Sequence, residues 1–110
     1  PRCRGEKREH FFVLPLSTKN EVLMIADVSA GTLTNAVVHP REVFEPAIRC
    51  GAAHIIVAHN HPSGDPAPSA EDHRVTRTLA EAGKILAIPV TDHVIVARSG
   101  FFSFAEEGLL

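Results

Sequence analysis

Apolar residues fall in short blocks along the chain, and their spacing switches between about two and about 3.6, so strands and helices are expected to alternate. Residues 10–16 and 21–29 are rich in Phe, Val, Leu and Ile and flank the polar Ser17-Thr18-Lys19-Asn20, which predicts a β-hairpin. Pro15 has no amide hydrogen, so its part of the first strand is expected at an edge or a bulge. After a loop about Gly31, residues 40–50 put Val43, Phe44, Ala47 and Ile48 on one face and end before Gly51, as a helix does. Pro46 suits that helix only in its first turn, where amides have no intrahelical acceptor.

Residues 53–59 are apolar in both phases of the strand alternation, which predicts a central strand buried on both faces. Three of the eight prolines and Gly64 then fall within residues 60–68, a constrained loop. A helix is expected from Ser69 to about Gly83, with Val75, Leu79 and Ala82 inward. Two strand-like runs follow at 86–90 and 93–97, then a turn at Arg98-Ser99-Gly100 and the stretch Phe101-Phe102-Ser103-Phe104. The order ββαβαββ indicates an α/β chain of the α+β type, a mixed central β-sheet flanked by helices.

A chain of 110 residues is expected to form a single domain over 1–110, with residues 1–8 as a basic lead-in. Hydrophobic residues make up 45% and charged residues 22%, which excludes disorder throughout, and no apolar run approaches the roughly 20 residues of a membrane span. The net charge of −2 is unevenly placed. Arg2, Arg4, Lys7 and Arg8 crowd the start, and residues 9–110 then carry seven bases against twelve acids. A broad polyanion-binding face is therefore not expected. Cys3 and Cys50 have neither metal-type spacing nor the density of a secreted disulfide framework, and no signal peptide opens the chain, so a cytoplasmic protein is expected. The first residue is Pro1, which suggests a piece of something longer.

The unusual composition is seven histidines with no Trp or Tyr. His59 and His61, two apart on an extended chain, project from one face at the end of the central strand. Asp72 falls three and seven residues before Val75 and Leu79, on the inward stripe of the next helix, where a carboxylate is costly unless paired or bound to a metal. Two imidazoles and a carboxylate form a catalytic zinc ligand set with a fourth position open to water. Ser69 and Asp72 also suit a helix start, Ser69 as N-cap and Asp72 against the helix dipole. The two roles are compatible, because the cap orients the turn that presents Asp72.

His-x-His, seven residues, then Ser-x-x-Asp resembles the JAMM motif of the JAB/MPN metalloproteases, position by position at His59, His61, Ser69 and Asp72. His59-Asn60-His61-Pro62-Ser63-Gly64-Asp65-Pro66 resembles the RadC-like branch in particular. Pro40-Arg41-Glu42-Val43, Asp92-His93-Val94-Ile95-Val96 and Ser103-Phe104-Ala105-Glu106 extend the likeness over nearly the whole chain. The resemblance implies the cytidine-deaminase-like JAB/MPN fold. It also implies Zn2+ held by His59, His61 and Asp72, with Glu9, ahead of Phe11 and Phe12, as the base that takes a proton from zinc-polarised water. The Ser69 hydroxyl would stabilise the oxyanion at a scissile amide. The implied activity is a metallopeptidase or isopeptidase acting on a peptide or protein substrate. Asn60 stands where the eukaryotic deubiquitinating branch usually has Ser or Thr, which argues against a ubiquitin-like substrate.

Two other functions remain at this stage. One is a DNA-repair-associated accessory module, after the historical association of the RadC-like name; the other is a metal-bearing scaffold without turnover. His39, His54, His73 and His93 are assigned to packing, solvation or turn hydrogen bonds, with His73 and Arg77 as an exposed helix pair. Asp92-His93 recurs in the RadC-like pattern and is read as structural, with no specific part in the site.

Overall fold

The computed structural model describes residues 8–29 and 38–110; most of the basic lead-in, Cys3 and the loop about Gly31 lie outside the described residues. Seven elements follow in the order β1 Phe11–Leu16, β2 Ala26–Asp27, α1 Pro40–Cys50, β3 His54–Asn60, α2 Ala70–Leu86, β4 Val90–Ala97 and β5 Gly100–Ser103. They form one mixed five-stranded sheet in the order β2-β1-β3-β4-β5. β1 runs antiparallel to β2 and β3, β4 antiparallel to β5, and β3 parallel to β4. The parallel pair requires a crossover, which α2 supplies.

Alternation sets the core. Phe11 and Val13 from β1, Ile55 and Val57 from β3, and Val90 from β4 meet Val43, Phe44 and Ala47 of α1 and Leu79 of α2 in one cluster. The two helices thus share one face of the sheet. On the other face of β3, His54, Ile56 and Ala58 are half-buried, so the central strand is fully enclosed on one side rather than on both. Among the described residues, no helix is long and apolar enough to cross a membrane.

The expected hairpin is present but short in its second arm, with two residues in β2 and a single bridge between Leu16 and Val22. Pro15 lies in an interior strand, yet it faces the irregular side of it. Its carbonyl accepts from Leu23, so its missing hydrogen points at a segment outside the ladder. Helix α1 has the expected bounds, with Gly51 as a left-handed cap at φ 69°. Pro46, however, sits in the middle of α1 and not in its first turn. It is buried in the core, and the carbonyl it leaves unbonded belongs to exposed Glu42, so packing and water offset a penalty of about 3 kcal/mol.

The expected strand at 86–90 is not formed, because α2 continues past Gly83 to Leu86 and the two runs at 86–90 and 93–97 become the end of a helix and one strand. Gly83 is not a stop. A Cβ there would stand 2.6 Å from the Ile88 carbonyl oxygen and 3.4 Å from Phe44, so the glycine admits a backbone against the helix. Ala87 takes the left-handed cap at φ 59°, and of the Phe101–Phe104 stretch the first three residues complete β5 while Phe104 lies in a turn just beyond it.

Candidate metal centre

β3 delivers His59 in phase with Ile55 and Val57, on the helix side of the sheet and at the strand's carboxyl end. The helix of a crossover starts at that same end, which brings the first turn of α2 over His59. His61 lies just past β3, and its amide still bonds the Val96 carbonyl of β4. The turn that follows is tied by the Gly64 amide to the His61 carbonyl at 3.0 Å, with Gly64 at φ 94°, a conformation that L side chains rarely adopt. It places the Asp65 carbonyl 3.0 Å from His61 Nδ1.

Ser69 caps α2 as expected. Its hydroxyl accepts from the Asp72 amide at 3.1 Å, while Asp72 Oδ2 accepts from the Ser69 amide at 2.9 Å. Asp72 is thereby fixed and buried, with Oδ1 3.2 Å from His59 Nε2 and Oδ2 3.0 Å from His61 Nε2. The two Nε2 atoms are 3.1 Å apart. Glu9 is exposed at the mouth, and one of its carboxylate oxygens lies within 4.8 Å of ligand atoms of both histidines. All five residues singled out from the sequence are therefore brought to one end of the sheet.

The donor set suits a cation. The Asp65 carbonyl can only accept, so a neutral His61 carries its hydrogen on Nδ1 and a lone pair on Nε2. That lone pair faces the Asp72 carboxylate at 3.0 Å, a repulsive contact unless a hydrogen or a cation stands between them. Tetrahedral nitrogen and oxygen ligands about 2.0–2.2 Å from zinc stand roughly 3.3 Å from one another, close to the separations here. His59, His61 and Asp72 fit zinc in chemistry and spacing. Glu9 with His59 and His61 makes a further group of possible ligands, their atoms within 4.8 Å of one another, that shares both histidines.

Burial raises the Asp72 carboxyl, but the hydrogen bond and charge of His59 in its protonated form, with the hydrogen bonds from Ser69, outweigh it and hold the group well below the usual carboxylate range. His93 is driven from 6.5 down to about 3, first by burial and then by the neighbouring His59, so it is neutral at neutral pH.

Two residues that sequence reasoning left without a role belong to this site. His93 is 0% exposed, stacks on Phe104 with ring centroids 4.7 Å apart, and places Nε2 2.9 Å from His59 Nδ1. Its neighbour Asp92 accepts from the His93 amide at 2.7 Å, from the Ser103 hydroxyl at 2.8 Å and from the Ala105 amide at 3.0 Å, which anchors the end of β5 and so Phe104. The signal was available: His93 is in phase with inward Ile95 and Ala97. Asn60, 1% exposed, brackets Glu9, donating to the Arg8 carbonyl at 2.8 Å and accepting from the His10 amide at 2.5 Å. His54 bonds Asn20 in the turn and Thr91 in β4, and His73, expected as an exposed pair with Arg77, is instead half-buried and packs edge-on against Phe104.

A family model described as the RadC-like JAB domain matches residues 1–109. Curated relatives, each called a UPF0758 protein, include one from Rubrobacter xylanophilus, 57% identical over 109 residues, which are 99% of this chain and 48% of the relative. Another, from Trichlorobacter lovleyi, is 54% identical over 107 residues, 97% of this chain and 46% of the relative. A third, from Symbiobacterium thermophilum, is 52% identical over 110 residues, all of this chain and 47% of the relative. The chain thus spans about half the length of the curated relatives it matches.

Proposed function

The chain belongs to the RadC-like JAB domain family, and from that premise we propose that it is a zinc-dependent metallohydrolase that cleaves a peptide or isopeptide bond in a peptide or protein substrate. One observation carries the reading. The lone pair of His61 Nε2 and both carboxylate oxygens of Asp72 converge with His59 Nε2 at separations of 3.0–3.2 Å, around a position that calls for a cation.

In this reading His59, His61 and Asp72 hold the ion. Zinc, when bound, supplies a Lewis acid that brings the pKa of water at its open position toward about 7. Asp72, buried and held by the Ser69 amide, is the rigid carboxylate suited to ligation. Glu9, exposed and within reach of both imidazoles, is the carboxylate suited to taking a proton from water and giving it to the leaving amine. The Ser69 oxygen already accepts from Asp72, which leaves its hydroxyl hydrogen free to meet the oxyanion of the substrate.

Zinc content of the purified protein and cleavage of a peptide library, each measured for wild type and Glu9→Gln, test this. Wild type is expected to bind one zinc and cleave, whereas Glu9→Gln keeps the zinc and loses at least about a hundredfold in rate. A wild type that takes up no zinc ends the reading. Equal cleavage by Glu9→Gln removes Glu9 from the proton-transfer role, and loss of zinc in that variant makes it a ligand instead.

A further inference from the structure

Thr76 and His93 stand outside the proposed ligand set, yet a chain of hydrogen bonds joins them to it. Thr76 Oγ1 lies 2.8 Å from the Asp72 carbonyl oxygen and 2.6 Å from His93 Nδ1, and His93 Nε2 lies 2.9 Å from His59 Nδ1. Each contact needs one hydrogen, and a carbonyl oxygen supplies none. The Thr76 hydroxyl hydrogen is therefore given to the Asp72 carbonyl, and the 2.6 Å contact is made by an Nδ1–H of His93. In a neutral ring this leaves His93 Nε2 as acceptor, so the hydrogen of the next contact sits on His59 Nδ1. When the His59 ring is neutral it then presents a bare lone pair on Nε2, the atom 3.2 Å from Asp72 Oδ1 and 3.1 Å from His61 Nε2, and only a second proton or a cation closes the space between them.

We propose that Thr76 and His93 are positioning residues that fix the Nδ1–H tautomer of His59 and hold its Nε2 lone pair toward the metal position before any ion arrives. The proposal rests on the metal-site reading above. A ligating histidine usually gives its other N–H to a carboxylate or a backbone carbonyl, groups that can only accept. Here the partner is another histidine, which can face either way, and the helical carbonyl of Asp72 sets the direction through Thr76. His93 is held in place by the stack with Phe104 and by Phe11, whose centroid is 5.8 Å away. In Thr76→Val the His93 Nδ1–H would have no acceptor. The hydrogen would then favour Nε2, donate to His59 Nδ1 and push the His59 hydrogen onto Nε2, where Asp72 Oδ1 accepts it and the ligand position is blocked.

Long-range proton–nitrogen NMR of the metal-free protein reads the tautomer directly. At a pH where the ring is neutral, His59 is expected to carry its hydrogen on Nδ1 in wild type and on Nε2 in Thr76→Val. Zinc affinity, measured by competition with a chromophoric chelator, is expected to fall about 10- to 100-fold in Thr76→Val and in His93→Leu. His93→Gln, whose side-chain carbonyl can accept from His59 Nδ1–H, should recover most of it. An Nε2–H tautomer in wild type overturns the proposal even if His93→Leu fails to fold, and so does a folded Thr76→Val with wild-type affinity. Nδ1–H in a wild type that binds no zinc would instead sink the zinc reading and leave the relay standing.

Discussion

At its first turn α2 is held by polar exchange: Ser69 and Asp72 trade hydrogen bonds, and the carboxylate is spent on both imidazoles as well. About three turns on, at Gly83, the same helix is held by shape, with the Ile88 carbonyl and Phe44 packed where a side chain would be. Beyond Gly83 lie Ile85, 85% exposed, and Ala87 in a left-handed cap. A polar end depends on which atoms carry hydrogens, and a packed end on which atoms are missing, so substitutions should damage them in different currencies.

The largest expected effect is at the polar end. Asp72→Asn keeps an oxygen for the Ser69 amide but removes the charge, and zinc affinity should fall by about a hundredfold or more, with the fold retained by circular dichroism. Wild-type affinity in that variant would make Asp72 only a cap.

Acid should also act on this end. Because folded His93 sits near 3 and an unfolded histidine near 6.5, the unfolded chain takes up the extra proton between those values. Stability of the metal-free protein, complete above about pH 6.5, is therefore lost as the pH falls toward 3, by an amount on the order of a few kcal/mol. The depressed Asp72 adds to the loss in the same direction below about pH 4, its ordinary range. Urea midpoints from pH 7 to pH 4 should decline in wild type and flatten in His93→Gln; a level wild-type profile would contradict the buried neutral imidazole.

The packed end should respond in stability alone. Gly83→Ala drives a Cβ against backbone and should cost about 1–3 kcal/mol while leaving zinc affinity unchanged. If it lowers zinc affinity as well, the two ends are coupled. Smallest of all, Ala87→Gly relieves a left-handed alanine and should raise stability by roughly 0.5–1 kcal/mol; a thermal midpoint that does not rise would show that the cap carries no strain.

The difference between these ends also marks how far the sequence could be read. The Ser-x-x-Asp start of α2, the His-x-His at the end of β3 and the bounds of α1 were legible because each is a local pattern with a local cause. The end of α2 was misplaced because a glycine that stops a helix and a glycine that admits a neighbour have the same letter. Pro46 was misjudged for a similar reason, since the burial that offsets its lost hydrogen bond comes from other elements. His93 shared the inward phase of Ile95 and Ala97, but nothing in its own strand says that His59 lies 2.9 Å away.

By itself, then, the sequence determined the alternating elements, the polar cap and the residues able to hold a cation, because periodicity and short motifs act within a few residues. Tertiary structure alone decided that His93 and Thr76, 34 and 17 residues from His59 along the chain, become its hydrogen-bond partners in series. It also decided that Asn60 would bracket Glu9 from 51 residues away. Those choices depend on strand register and on the crossover that returns α2 to the end of β3, and both are settled by burying one shared core.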